Sequence, residues 1–200
     1  MSGYDANGSL HGNDGRFEHQ HRDEGDVDDL TRPLPLDDVV PAGGMVTISE
    51  DELPGYFDFD SVDVTRNDDG TFAIQANAGT DVQYGLAKAY ADERGWDIDN
   101  FADADAAVEA DLTVNAWLAR HSEDAIAWFE DATGSRLHRE FEWDNQRFSW
   151  DTTMPAGSTT DQVVEVAEEA VGTHPDTDDG FYARMWSEAE GYRARNSDSD

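Results

Sequence analysis

The sequence predicts an α+β domain: a small antiparallel sheet of two hairpins plus a short strand, packed against four to six helices. Three observations carry that expectation. Two stretches, "SVDVTRNDDGTFAIQAN" and "RLHREFEWDNQRFSWD", alternate apolar and polar residues around turn signals, as half-buried strands do. Several other segments repeat their apolar residues at helical spacing. The chain has 200 residues and no cysteine, which suits a single hydrophobic core without disulfides or cysteine-bound metal.

Residues 1–42 are rich in Gly, Asp, Asn and His, with no sustained apolar period, and are expected to form a disordered acidic arm. Within it, Leu34, Leu36, Val39 and Val40, between Pro33 and Pro41, are expected to anchor as an extended segment. The folded domain is expected over 43–195, with 196–200 a loose tail. The N-terminal stretch has neither the basic start nor the apolar run of a secretion signal, and no segment reaches the length and apolarity of a membrane span.

Order is expected to begin at the strand in "GGMVTISE". The first hairpin follows: Val62 and Val64 alternate on one arm, Phe72 and Ile74 on the other, and Gly70 supplies the positive φ that the Asn-Asp-Asp-Gly turn needs. Thr80 or Asp81 can cap the next helix, whose Val82, Leu86, Ala89 and Tyr90 form one stripe and which Gly95 ends. Residues 102–133 read as two or three helices, with Ala104, Ala107, Val108, Asp111 and Leu112 as the stripe of the first and Ser122 as a cap for a later one bearing Ile126 and Phe129.

In the second hairpin, Leu137, Arg139, Phe141 and Trp143 share one face. A turn at 144–147 would set Trp143 opposite Phe148 and Phe141 opposite Trp150, placing four aromatics on one side. Thr159 and Gln162 form a capping box for a helix carrying Val163, Val166 and Ala170. A last helix begins near Asp178 or Asp179 and repeats Phe181, Met185, Ala189 and Tyr192, with Arg193 and Arg195 suited to its negative C-terminal end.

The charge balance is the strongest global feature. Forty-six acidic residues face 13 basic ones, of which only Lys88 is lysine, for a formal charge of −33. Like charge at this density destabilises a compact state in dilute buffer, whereas at molar salt the Debye length falls to about 3 Å. Carboxylates bind water and cations well. The composition therefore resembles that of proteins from organisms with molar internal potassium, and implies a potassium-rich solvent shell in a salt-rich cytoplasm or a particle assembled there.

No catalytic signature stands out. There is no Gly-x-Ser-x-Gly elbow, phosphate-binding glycine loop or His-Glu-x-x-His pair. "NDDG" and "DTDDGF" are only fragments of a calcium loop. His121, Ser122 and Asp124 lie too close in sequence to converge as a triad, and His19 and His21 in the arm would hold a metal only adventitiously. No cofactor or metal is expected.

Against the acidic background, the second hairpin and the last helix combine arginines with aromatics, the residues that interfaces favour. The candidate partner-binding residues are Arg136, His138, Arg147, Tyr182, Arg184, Trp186, Arg193 and Arg195. The expected function is a non-enzymatic interaction or assembly protein, such as a subunit of a virus particle or other multi-subunit complex, that engages a protein partner or itself and no membrane. The alternatives are an acidic nucleic-acid mimic, a winged-helix regulator and a small hydrolase. Nucleic acid is not the expected partner, because the segment that would enter a groove, "SEDAIAWFEDATG", holds four carboxylates and no base.

Overall fold

A computed structural model describes residues 33–49, 60–99, 103–138, 143 and 146–197, together with the backbone at 3–4 and 10–11. The chain divides into two units, residues 1–33 and 34–200. In the first, β1 (Gly3–Tyr4) pairs antiparallel with β2 (Leu10–His11). The remainder of the arm, including His19 and His21, lies outside the described residues.

The second unit begins earlier than the sequence suggests. Leu36–Val39 forms one helical turn, α1, and Leu36 and Val40 are each 1% exposed. The expected extended anchor is thus a helical one, and residues 34–42 belong to the domain rather than to the arm. The Leu36 N–H donates to Ser158 O at 2.8 Å and the Thr160 N–H to Leu34 O at 2.9 Å. Arg66 ion-pairs with Asp37 and donates to the carbonyls of Asp37 and Val40, fixing the turn from the other side. Leu34 itself stays exposed.

Five strands form one antiparallel sheet in the order β3-β4-β5-β7-β6. They are β3 (Met45–Ser49), β4 (Ser61–Arg66), β5 (Phe72–Thr80), β6 (Arg136–His138) and β7 (Gln146–Met154). The first hairpin closes as its sequence implies, with Val64 opposite Ile74, the Asn67 N–H on Thr71 O at 2.9 Å and Gly70 at φ 84°. The two hairpins join through β5 and β7, where Ala76 faces Trp150 and Ala78 faces Phe148. Small residues on β5 make space for the aromatics of β7.

The second hairpin has a different register. Leu137, not Trp143, lies opposite Phe148, and Arg136 pairs with Ser149. Phe148, Trp150 and Trp143 are buried, as the aromatic stripe implies. Phe141 and Arg139 lie outside the described residues.

Among the described residues, the helical elements are α1, α2 (Val82–Asp92), α3 (Ala104–Thr133), α4 (Thr160–Ala170), a 3-10 turn at Pro175–Thr177, α5 (Phe181–Glu188) and α6 (Tyr192–Ser197). Asp81 caps α2 by accepting the Tyr84 N–H at 2.8 Å, and Gly95 (φ 68°) follows its end. As expected for this stretch, α3 comprises more than one helical run: two runs meet at a kink at His121, whose φ and ψ are −119° and 19°, next to Ser122. Its buried stripe is Ala106, Ala110, Val114, Trp117 and Leu118, while Val108 and Leu112 face solvent at 58% and 63% exposure. The period matches the expectation but the phase does not. Helices α2 and α3 pack against each other, and Gln83 of α2 bonds to Asp111 of α3.

In α4, the Gln162 side chain accepts the Thr159 N–H at 3.1 Å, as the capping box requires, and Val163 and Ala167 are buried. The last helical stretch is two helices, because Gly191 at φ 70° interrupts it. Arg195 donates to the carbonyls of Glu188 and Glu190, so it serves the C-terminal end of α5 rather than of one long helix. Helix α6 runs to Ser197, past the expected start of the tail.

Candidate functional site

Parity along the strands divides the sheet into two unlike faces. Val62 and Val64, Phe72 to Ala78 by twos, and Phe148, Trp150 and Met154 are buried beneath the helices. Phe129 of α3 meets Phe148 edge-on at 5.3 Å and Phe181 of α5 at 5.5 Å, which places those helices on this face. The residues in between point the other way. No described element covers that second face.

The uncovered face is polar and internally bonded over β3, β4 and β5. Asp63 accepts from Thr47 Oγ1 at 2.6 Å and from Asn77 Nδ2 at 2.9 Å; Asn77 also donates to Ser61 Oγ at 3.2 Å. Gln75 Nε2 donates to Asp151 Oδ1 at 3.0 Å. Such cross-strand pairs tie neighbouring strands together and leave little unsatisfied polarity for a ligand.

The β6 and β7 end differs. Arg136 lies opposite Ser149 and His138 opposite Arg147. The two arginines are therefore diagonal neighbours, close enough for long side chains to reach a common ligand. Between them the His138 ring bonds through Nε2 to Ser149 Oγ at 2.6 Å, and Ser149 is 1% exposed. Both arginines are exposed. Among the described residues no carboxylate, carbonyl or ring engages either guanidinium. Asp60 stands over Gly79, the residue paired with Arg147, yet forms no ion pair with it.

The remaining five candidate residues sit in the helical layer, on the opposite side of the sheet, and their polar groups are used internally. Tyr182 bonds to Thr80 Oγ1 at 2.5 Å, and burial pushes its phenol well above the usual range. Arg184 forms a two-pronged pair with Asp178, whose carboxyl is held below the usual range first by that arginine and then by the Gly180 N–H. Trp186 stacks on Trp117 at 5.1 Å. Arg193 donates to Glu123 at 2.8 Å, and Arg195 is taken by carbonyls. The eight candidates thus form no continuous surface: Arg136, His138 and Arg147 share one patch, and the other five brace α5 and α6.

A cleft of about 730 Å³ opens between α2 and the segment 175–183, lined by Asp81, Lys88, Asp92, Asp176, Asp178 and Tyr182. Its key groups have structural tasks: Asp81 caps α2, Asp178 holds Arg184, and Lys88 donates to Asp99 at 2.6 Å. Among the described residues no three His, Asp or Glu side chains converge to hold a metal. His121, Ser122 and Asp124 do not converge either. Asp124 instead accepts the N–H groups of Gly191 and Arg193 at 3.3 and 3.1 Å and so anchors the start of α6.

The polar network on the open face escaped the sequence reading, although its signal was present. The residues between the core positions of "SVDVTR" and "FAIQAN" are themselves regularly polar, which marks a face meant for water or a partner. No described helix is long and apolar enough to cross a membrane. The fold and this face define a one-sided α+β sheet domain. Comparison of the chain with protein-family models, with curated proteins and with solved structures finds no match in any of the three.

Proposed function

We propose that the protein is a non-enzymatic interaction or assembly component adapted to high salt, and that Arg136, His138 and Arg147 dock an acidic segment of a protein partner on the open face of the sheet. The observation carrying this reading is a diagonal pair of guanidinia that no described group engages, on the face that no described element covers, in a chain with charge −33. Every other described arginine has a carboxylate, carbonyl or ring partner. Arginine's planar donor fork suits two-point contact with carboxylates.

Salt decides whether this chain can bind an anion at all. In dilute buffer its overall field repels polyanions, but at a Debye length of about 3 Å only groups in direct contact interact appreciably. Recognition then becomes local, and two arginines suffice for a short acidic stretch. Two cations are few for a nucleic-acid backbone, which is tracked by several phosphate contacts. Carboxylates stand on both layers, for example Asp151 on the sheet and Glu109, Glu165 and Asp179 on or beside the helices. That scatter supports solvent adaptation over mimicry of a duplex.

Fluorescence anisotropy with a labelled Glu-rich peptide and a DNA duplex of equal charge, both in molar potassium chloride, tests the proposal. The expected result is peptide binding that weakens at least about tenfold, or 1.4 kcal/mol, in the R136E/R147E variant, with no comparable duplex binding. Equal peptide affinity in the variant, or preference for the duplex, would refute it.

A further inference from the structure

We infer that β3 is an assembly edge through which two copies of this chain pair antiparallel, strand to strand. The inference does not depend on what the open face binds. Strand β3 ends the sheet, and among the described residues no strand adjoins its outer side.

Hydrogen-bond parity shows what that side offers. The Arg66 N–H donates to Gly44 O at 3.0 Å, which makes 44 and 66 a hydrogen-bonded pair. Pairs alternate along an antiparallel ladder, so Val46 with Val64 and Ile48 with Val62 are hydrogen-bonded too. The N–H and C=O of Met45 and Thr47 then point away from β4, into the space where another strand would lie.

The side chains reinforce this. Exposed edges are normally guarded by charge, proline or a bulge. "MVTIS" has no charged residue and no proline in a chain that is 30% charged. The opposite edge, β6, carries Arg136 and His138 and is three residues long. Val46 and Ile48 pack on the core yet remain half-buried, and Met45 is 60% exposed. An additional strand would complete their cover.

A second copy fits because the strand is complementary to itself. With the twofold axis at Thr47, Thr47 faces its own counterpart, Val46 faces Ile48 and Met45 faces Ser49. The outward-pointing N–H and C=O of Thr47 meet those of its counterpart in a hydrogen-bonded pair on the axis, as the ladder demands. Val46 and Ile48 meet in the closer, non-hydrogen-bonded pairs on the helical side. The axis is perpendicular to the sheet, so both open faces lie on the same side of one continuous sheet. Two copies of the Arg136 and Arg147 patch would then be presented together, the arrangement that gives a repetitive partner avidity. Repulsion between two highly acidic copies makes the pairing depend on salt.

Because the chain contains no cysteine, one substitution tests the axis. Directly opposed residues in a hydrogen-bonded pair have Cα atoms about 5.5 Å apart, within the range a disulfide spans. Full-length T47C should oxidise in molar potassium chloride to a covalent dimer, whereas A156C, on the exposed turn after β7, should not. Sedimentation should show the unmodified protein as a dimer, and T47P, which removes an outward N–H, as a folded monomer by circular dichroism. A monomeric unmodified protein at every concentration, a dimeric T47P, or T47C cross-linking no faster than A156C would each overturn the inference.

Discussion

Gly85 of α2 lies directly under the ring of Tyr182 of α5, and a single carbon added at Gly85 would meet ring atoms Cε2, Cδ2 and Cζ well inside van der Waals distance. The contact lets the two helices approach while the Tyr182 hydroxyl reaches Thr80 on β5. Alanine is intrinsically better than glycine within a helix by about 0.5–1 kcal/mol. Overpacking costs about 1–3 kcal/mol and should win here. Urea denaturation is expected to show G85A destabilised. In G85A/Y182A the two losses should add to less than their sum, with a coupling of about 1 kcal/mol or more. Strict additivity would mean the ring moves aside freely.

Asp178 and Arg184 give a pH-dependent prediction. Arginine and the Gly180 N–H favour the charged carboxylate, so its folded-state pKa is depressed. A depressed carboxylate contributes stability above its unfolded pKa of about 3.9, and loses that contribution as pH falls through the folded value. The stability difference between the unmodified protein and R184L should therefore be constant from neutral pH down to about 5 and close below about 4. It should also be small, since both partners are substantially exposed. Denaturation at stepped pH checks this; a difference that grows under acid would contradict it.

The buried positions of Leu36 and Val40 set the truncation limit. Removing residues 1–33 should leave the thermal midpoint nearly unchanged, whereas removing 1–40 strips two fully buried side chains and should unfold the domain. Within the full chain, L36A is expected to cost about 2–5 kcal/mol. Circular dichroism melts of the three proteins separate these outcomes.

On α3, Leu112 and Leu118 should respond oppositely to truncation. Leu112 is 63% exposed and Leu118 fully buried. L112S should stay within about 0.5 kcal/mol of the parent, while L118A should lose about 2–5 kcal/mol. Equal losses would mean the helix is rotated from its observed phase.

That helix also shows where sequence reasoning runs out. The apolar period of α3 is legible, but helical spacing alone places Ala104, Ala107, Val108, Asp111 and Leu112 on one stripe without saying that this stripe is the buried one. Burial instead falls on Ala106 and Ala110, one or two positions away on the same helix. The second hairpin is a parallel case. Its parity was readable, so the buried side of Phe148 and Trp150 was evident. Sliding the partner from Trp143 to Leu137 moves an even number of residues and keeps every side chain on its face, so alternation cannot distinguish the two registers. The Asn-Asp-Asp-Gly turn and the Thr159 to Gln162 capping box were legible because their chemistry is local. Grouping Arg136, His138 and Arg147 needed only strand parity. Separating them from Arg184, Arg193 and Arg195 required knowing which side of the sheet the helices cover, and that is a property of the whole fold.

One-sided coverage of the sheet has a further consequence for how this chain tolerates change. Along β5 and β7, tolerance should alternate with every step, like the teeth of a comb: positions such as Ile74 and Phe148 admit few replacements, while neighbours such as Ala73 and Arg147 admit many. The same backbone can then acquire a new surface chemistry without disturbing its interior, so related chains could differ widely in what they hold while folding alike.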